Sequence, residues 1–255
     1  MLYQHKATQV TSDELDDAAR LRVLSNHYPY PDDLTRPVVR ANMVASIDGA
    51  SSVDGKSGGL GSDIDRAIFR TLRGLADVVV VGAGTATAEN YHQPEPDEAF
   101  AAARSDLGQS PAPELVLISN SLSIRPDYPP LSHAATTVLT CADSPADRRR
   151  ALMDAGATLV DCGTEKVEFG RVLAHLAERG LLRVLCEGGP SLLGSIIADD
   201  LLDELCLTIS PTLAAGDAAR IAHGPAPVDT PPTMRPHHIL GDDDGFLYTR
   251  WTRAN

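Results

Sequence analysis

Three short stretches of this chain put glycine beside a carboxylate or hydroxyl where a strand gives way to a turn. The first is Glu187-Gly188-Gly189-Pro190-Ser191-Leu192-Leu193-Gly194-Ser195. It follows the apolar run Leu181–Cys186, which reads as a buried strand, and it precedes Leu192–Ala198, which reads as a helix. Glycines at such a junction let the backbone come close to a ligand. The unpaired N–H groups of the helix start favour an anion, typically a phosphate. Ser191 is placed to cap the helix or to bond the same phosphate. Glu187 stands at the strand end, where open α/β sheets hold ligands. Taken alone, the stretch is equally a tight turn before a capped helix.

The second stretch is Gly82-Ala83-Gly84-Thr85-Ala86-Thr87-Ala88-Glu89-Asn90, entered from a short apolar strand at Asp77–Val81. It lacks the G-x-G-x-x-G spacing, so a Rossmann nucleotide site is not supported. Its small residues still admit a flat or phosphorylated ligand, and the plainer alternative is a packed strand–helix junction. The third is Met43-Val44-Ala45-Ser46-Ile47-Asp48-Gly49, followed by the glycine-rich Ser57-Gly58-Gly59-Leu60-Gly61-Ser62. Asp-Gly alone marks only a turn. In a parallel sheet, however, three such strand ends gather along one edge. The expected product is one elongated cleft with two phosphate cradles.

The elements that must position these residues alternate. Strands are expected at Val38–Ile47, Asp77–Val81, Leu115–Ile118, Thr136–Thr140, Thr158–Val160, Leu181–Cys186 and Asp203–Ile209, and helices at Ser62–Leu75, Ala146–Ala155 and Val167–Arg179. His237–Leu240 and Phe246–Trp251 read as a C-terminal hairpin. The alternation implies an α/β fold with a mainly parallel sheet covered by helices on both faces. Residues 1–36 read as an N-terminal helical extension packed on the main body. Thr11-Ser12-Asp13-Glu14 fits a capping box, with Leu15, Ala18, Ala19, Arg22 and Val23 as the helical stripe. The segments 92–113 and 211–236 read as long loops bordering a site or a partner.

Composition narrows the classes. A hydrophobic content of 43% supplies a real core, and the net charge of −13 argues against nucleic acid and anionic membrane. No run approaches the roughly 20 apolar residues of a membrane span. The first residues carry no apolar signal region, so a cytoplasmic location is expected. Cys141, Cys162, Cys186 and Cys206 form no C-x-x-C pair, so neither a metal site nor a redox dithiol is suggested. Cys186 and Cys206 sit in apolar runs and read as core.

Together the motifs resemble the reductase domain of the bifunctional riboflavin-biosynthesis deaminase–reductase, which has the dihydrofolate-reductase-like fold. The resemblance rests on Ala45-Ser46-Ile47-Asp48-Gly49, on Leu72-Arg73 with Gly82–Ala86, and on Glu187–Leu192 with Leu202-Asp203-Glu204-Leu205. It spans about residues 38 to 253 and implies a reductase domain over 37–255, standing without the deaminase half. The His-x-Glu and Pro-Cys-x-x-Cys signature of zinc deamination is missing. The resemblance implies NADPH bound by Gly82, Thr85, Glu89 and Gly188 through Ser195, with Val44, Ala45 and Gly59 along the nicotinamide and Asn120 near the adenosine 2′-phosphate. It implies substrate contacts from Ser57, Arg73 and Glu187, to which Tyr91 is added as a ring contact. It also implies pairing as a homodimer.

Hydride transfer needs the nicotinamide held against the acceptor carbon. The protein's part is placement and a proton. Asp48, Glu89 and Glu187 are the cleft carboxylates considered for that proton or for gripping an aminopyrimidine, with Asp48 and Glu187 taken as the catalytic pair. One departure bears on substrate. Where the family carries an Arg that holds the ribose phosphate, this chain reads Glu89-Asn90-Tyr91-His92-Gln93-Pro94-Glu95-Pro96. Arg104 and Arg125 are the possible replacements. The expected activity is therefore NADPH-dependent reduction of 5-amino-6-(5-phosphoribosylamino)uracil or a related aminopyrimidine or pterin. Dihydrofolate reduction on the same scaffold, and an NADPH-binding paralogue without turnover, stand as alternatives.

Overall fold

The computed structural model describes residues 8–9, 16–224 and 229–254. The chain opens with β1 (Thr8–Gln9), α1 (Asp17–His27) and β2 (Val38–Ser46). It continues through α2 (Asp63–Leu75), β3 (Val78–Gly82), α3 (Ala83–Ala88), α4 (Glu98–Asp106), β4 (Glu114–Ile118) and β5 (Thr136–Thr140). Next come α5 (Ala146–Asp154), β6 (Thr158–Asp161), α6 (Phe169–Glu178), β7 (Arg183–Cys186) and α7 (Pro190–Ala198). It closes with β8 (Glu204–Ser210), β9 (Met234–Gly241) and β10 (Leu247–Arg253).

The strands form one sheet in the order β1-β9-β10-β8-β2-β7-β3-β4-β5-β6. From β8 to β6 every neighbouring pair is parallel, and β10 runs against both β8 and β9. This is the mainly parallel sheet with a C-terminal antiparallel pair expected from the alternation of elements. Its middle is buried on both faces. Val79 and Val81 pack with Leu21 and Leu24 of α1 and Ile68 and Leu72 of α2. Val78 and Val80 pack with Val172 and Leu176 of α6 and Leu193 and Ile196 of α7. The two-residue period of a strand splits the valine run between two cores.

Three expectations need correction. The proline-rich stretch 92–113 is not all loop, for it holds α4, capped by the Asp97 carboxylate on the Ala99 N–H and anchored by buried Phe100 and Arg104. Prolines flank that helix without entering it, which hid it. In α1 the buried face is Leu21 and Leu24, followed by Tyr28, whereas Ala18 and Arg22 are exposed. The helix is capped by Asp16, which accepts from the Ala19 N–H, and Thr11–Glu14 lies outside the described residues. In α7 the cap is Gly189 with Pro190 in the first turn, not Ser191. Pro at that position removes an N–H that a helix start leaves unpaired anyway.

The segment after α1 is bound to the sheet by a buried charge cluster. Glu204 lies between Arg40 and Arg250, whose side chains are 0% and 5% exposed. Both guanidiniums also donate to main-chain carbonyls, Arg40 to Tyr28 and Pro29 and Arg250 to His27 and Pro29. Burial pushes the Glu204 carboxyl up, but the two guanidiniums outweigh it and hold it below the usual glutamate range.

Candidate active site

The site is a consequence of unequal strand lengths. β7 ends at Cys186, opposite Ala41 of β2 and Val80 of β3. β2 runs on to Ser46 with only β8 beside it. The missing β7 residues leave a notch at the C-terminal edge of the sheet, where α/β folds hold ligands. The Glu187–Gly189 turn crosses that notch. Gly188 offers its carbonyl to the Gly82 N–H at 2.8 Å on the β3 side. On the β2 side, a Cβ at Gly188 would stand 3.3 Å from Met43 Sδ. Gly188 has φ +82° and is joined to Gly189 by a cis peptide. A Cβ on Gly189 would overlap Thr85 Oγ1. Glycine is required here by both conformation and close approach.

Two basins meet at this turn. The larger, about 420 Å³, is walled by Asn42, Met43 and Val44 of β2, by Ser51, Ser52, Gly55 and Ser57, by Asp65 and Phe69 of α2, and by Glu89, Tyr91 and Glu187. The second, about 370 Å³, lies between Gly82–Thr85, Ile118–Ser121 and Pro190–Leu192 with Ser195. Thr85, Gly189 and Pro190 line both, so the two form one elongated cleft.

The second basin suits a phosphorylated cofactor. It is entered by the N-terminus of α7, and it is floored by the glycines that follow β3. Backbone N–H groups at a helix start attract anions without any cation. Asn120 and Ser191 line it as expected, and the Asn120 amide oxygen also accepts from the Val167 N–H. Leu193 and Gly194 do not line it. Leu193 is fully buried in the core, and Gly194 is covered by the main chain of His223. Ala45 is likewise buried, and Gly58 rather than Gly59 reaches the cleft.

In the larger basin the carboxylates have distinct partners. Glu187, with a side chain 2% exposed, accepts from Arg73 Nε and Nη2 at 2.7 Å each, a bidentate pair. The Arg73 guanidinium also lies over the rings of Phe69 and Tyr91. Burial opposes its charge, but Glu187 holds its pKa above the usual value. Burial, with the Glu187 carboxylate beside it, pushes the Tyr91 phenol up. Glu89 accepts from the Ser57 N–H and hydroxyl through one oxygen, at 2.9 and 3.0 Å. Asp48 stands apart from the cleft lining. It accepts from the Ser46 hydroxyl and from the N–H groups of Ala214 and Ala215, and these bonds hold its carboxyl at about 2.

The structure adds a carboxyl that sequence reasoning passed over. Asp65 lies in the cleft wall, where its Oδ1 accepts from the Thr208 hydroxyl at 2.6 Å, and burial raises its pKa. In the sequence it reads as an ordinary first-turn acid of a helix capped by Ser62. No Lys or Arg lines the larger basin among the described residues. Arg104 is buried on the carbonyls of Gly74, Ala76 and Ser110, and Arg125 pairs with Asp127 at the surface. Neither therefore replaces the absent phosphate clamp. Lys56, between lining residues Gly55 and Ser57, and Arg220, next to lining residue Ala219, are exposed at the mouth without a carboxylate partner among the described residues.

With this geometry in hand, comparison with known proteins decides the family. The profile of the RibD C-terminal domain matches residues 37–248. The chain belongs to the RibD C-terminal domain family. Among curated RibD-type relatives, it is 26% identical over 191 residues to a 2,5-diamino-6-ribosylamino-4(3H)-pyrimidinone 5′-phosphate reductase of Archaeoglobus fulgidus, covering 74% of this chain and 87% of that one. A reductase of the same description from Methanothermobacter thermautotrophicus is 27% identical over 72% of this chain and 82% of its own. The crystal structure of a pyrimidine reductase-like protein from Corynebacterium diphtheriae superposes with a TM-score of 0.71 at 27% identity, covering 86% of this chain and 92% of that one. The RibD C-terminal domain architecture, mainly parallel with flanking helices and a C-terminal antiparallel pair, is thus the one the motifs implied.

Proposed function

We propose that this protein is a nicotinamide-dependent reductase of an aminopyrimidine of the riboflavin-biosynthesis type. The observation that carries this reading is the single cleft in which a glycine-floored, helix-headed basin for a dinucleotide meets a basin walled by Glu187, which Arg73 holds from behind the lining, and by Tyr91. The substrate named for the archaeal relatives, 2,5-diamino-6-ribosylamino-4(3H)-pyrimidinone 5′-phosphate, is the leading candidate. NADPH is the proposed cofactor, which when bound supplies the hydride.

The residues of this chain do the placing. The amides at the start of α7 and the turn after β3 hold the pyrophosphate. Asn120, with Lys166 exposed beside the lining residue Val167, meets the adenosine end. Glu187, fixed by Arg73, presents acceptor oxygens to an amino-bearing ring. Ser57 is held by Glu89 at the entrance, and Lys56 and Arg220 stand where the substrate's phosphate would leave the cleft. Pairing of two copies belongs to the same proposal and is supported by exposed Ile47, Leu213 and Leu247 around the ends of β2, β8 and β10.

The test is oxidation of NADPH, and of NADH in parallel, by the purified protein with the diaminopyrimidinone phosphate, the phosphoribosylaminouracil and dihydrofolate. Turnover of either pyrimidine bears the proposal out. Turnover of dihydrofolate alone moves the activity to pterins, and cofactor binding without turnover of any of the three refutes it.

A further inference from the structure

In the proposed substrate the ribosylamino carbon becomes reducible when its ring C–O bond opens to a carbon–nitrogen double bond, the ring oxygen gaining the proton that the amine nitrogen loses; reduction of that bond then takes a hydride on carbon and a proton on nitrogen. The carboxyls already described are poorly placed to give that proton. Both Glu187 oxygens are bonded to Arg73. One Glu89 oxygen takes two hydrogen bonds from Ser57. Asp48 lies outside the cleft lining and is held as an anion by three donors.

Asp65 is different. Its Oδ1 accepts from Thr208, whereas its Oδ2 has no hydrogen bond to any described residue. Among the described residues no cation forms an ion pair with it, and neighbouring Arg66 is paired with Asp63. Thr208 is paired in register with Val44, a lining residue of β2, so the dyad stands at the wall of the basin that Glu187 also lines. Oδ2 lies against Gly61, where a Cβ would stand only 2.8 Å from it, so any larger residue there would crowd the carboxyl.

We propose that Asp65 is the general acid of this site: it gives the proton to the substrate nitrogen as hydride reaches the adjacent carbon, and Thr208 steadies the carboxylate left behind. The step balances, with one hydride from the reduced nicotinamide, one proton from Asp65, and reprotonation of Asp65 from water. This inference rests on the reductase reading above. Burial raises the Asp65 pKa, which keeps more of the acid form available toward neutral pH. The titratable and charged groups that act on it are Arg66 on its own helix, Tyr28 after α1 and Tyr248 on β10.

The experiment measures kcat against pH for the wild type, Asp65→Asn and Thr208→Val, with the reduced-cofactor dissociation constant measured by fluorescence. Asp65→Asn is expected to lower kcat by about 10²- to 10⁴-fold with unchanged cofactor affinity. Thr208→Val removes a bond that favours the carboxylate, so the fall of kcat at alkaline pH moves to higher pH. A kcat for Asp65→Asn within threefold of wild type, with the wild-type pH profile, overturns the proposal. If Asp65→Asn does not fold, an unmoved profile in Thr208→Val overturns it. Wild type that turns over no aminopyrimidine sinks the reductase reading itself, and the inference with it.

Discussion

The Arg73–Glu187 pair gives a quantitative test of the site. Glu187→Gln keeps the shape but turns one acceptor into an amide donor that faces a guanidinium donor. Breaking a buried ion pair costs about 3–5 kcal/mol. The Arg73 side chain is 23% exposed against 2% for Glu187. The guanidinium left behind therefore regains water in part, which puts the cost of Glu187→Gln nearer ~2–3 kcal/mol. Arg73→Met strands a carboxylate with almost no water and takes the full ~3–5 kcal/mol. For a chain of this size each kcal/mol moves Tm by about 2–4 °C, so Glu187→Gln is expected to fall by ~4–12 °C and Arg73→Met by ~6–20 °C. The double variant should be less destabilised than the sum by about 1–3 kcal/mol, because neither charge is then left alone. Thermal and urea unfolding of the four proteins measures this coupling. Additivity within ~0.5 kcal/mol would show that the two groups do not act as a pair and would remove the basis for placing Glu187 as a fixed acceptor.

Other outcomes are expected at separate places in the fold. Glu204→Ala leaves Arg40 and Arg250 buried without a counter-charge and should cost about 3–5 kcal/mol in urea unfolding. Because the folded Glu204 pKa is depressed, its contribution is complete above the ordinary glutamate range and is lost as pH falls through the lowered value. Glu204→Gln should accordingly show a shallower loss of stability on acidification than the wild type. Lys56→Ala and Arg220→Ala should each raise KM for the phosphorylated pyrimidine and leave kcat and cofactor affinity near wild type; equal KM values would place the phosphate elsewhere. Gly194→Ala drives a methyl into the His223 carbonyl, so residues 221–224 must lift from α7. A loss of about 1–3 kcal/mol and faster proteolytic nicking near His223 are expected.

Much of the scaffold was legible because its signals are local. The valine run of β3, the Ser62 cap of α2 and the glycines that stop α5 and α6 each act within a few residues of themselves. The cleft's location was legible for a related reason, since parallel strands carry their C-terminal turns to one edge. What stayed hidden depends on contacts distant in sequence. Asp65 gains its character from Thr208, more than a hundred residues away, and from burial that the fold as a whole provides. Asp48 reads as a cleft carboxylate in the sequence, but the main-chain N–H groups of Ala214 and Ala215, more than 160 residues on, take it up. Gly194 matched the motif of a phosphate loop, yet its lack of a side chain serves a packing contact with His223.

The proposed function asks a chain of net charge −13 to hold two phosphorylated ligands. Most of its arginines are committed to carboxylates or carbonyls, including Arg40, Arg70, Arg73, Arg104, Arg148, Arg149 and Arg250. Attraction at the cleft therefore has to come from two other sources. One is neutral: the main-chain N–H groups at the start of α7 and after β3, which need no counter-ion and are not diluted by the acidic surface. The other is the cations Lys56, Arg220 and Lys166, which have no carboxylate partner among the described residues and each adjoin a residue that lines a basin. Fixed dipoles act at contact range and cations at the mouth within about a Debye length, ~8 Å at physiological salt. If the proposed placement holds, raising ionic strength should weaken capture of the phosphorylated pyrimidine, gripped at the exposed mouth, more than that of the cofactor, whose pyrophosphate would meet backbone donors. Equal salt sensitivity of the two KM values would mean that the mouth cations do not hold the substrate.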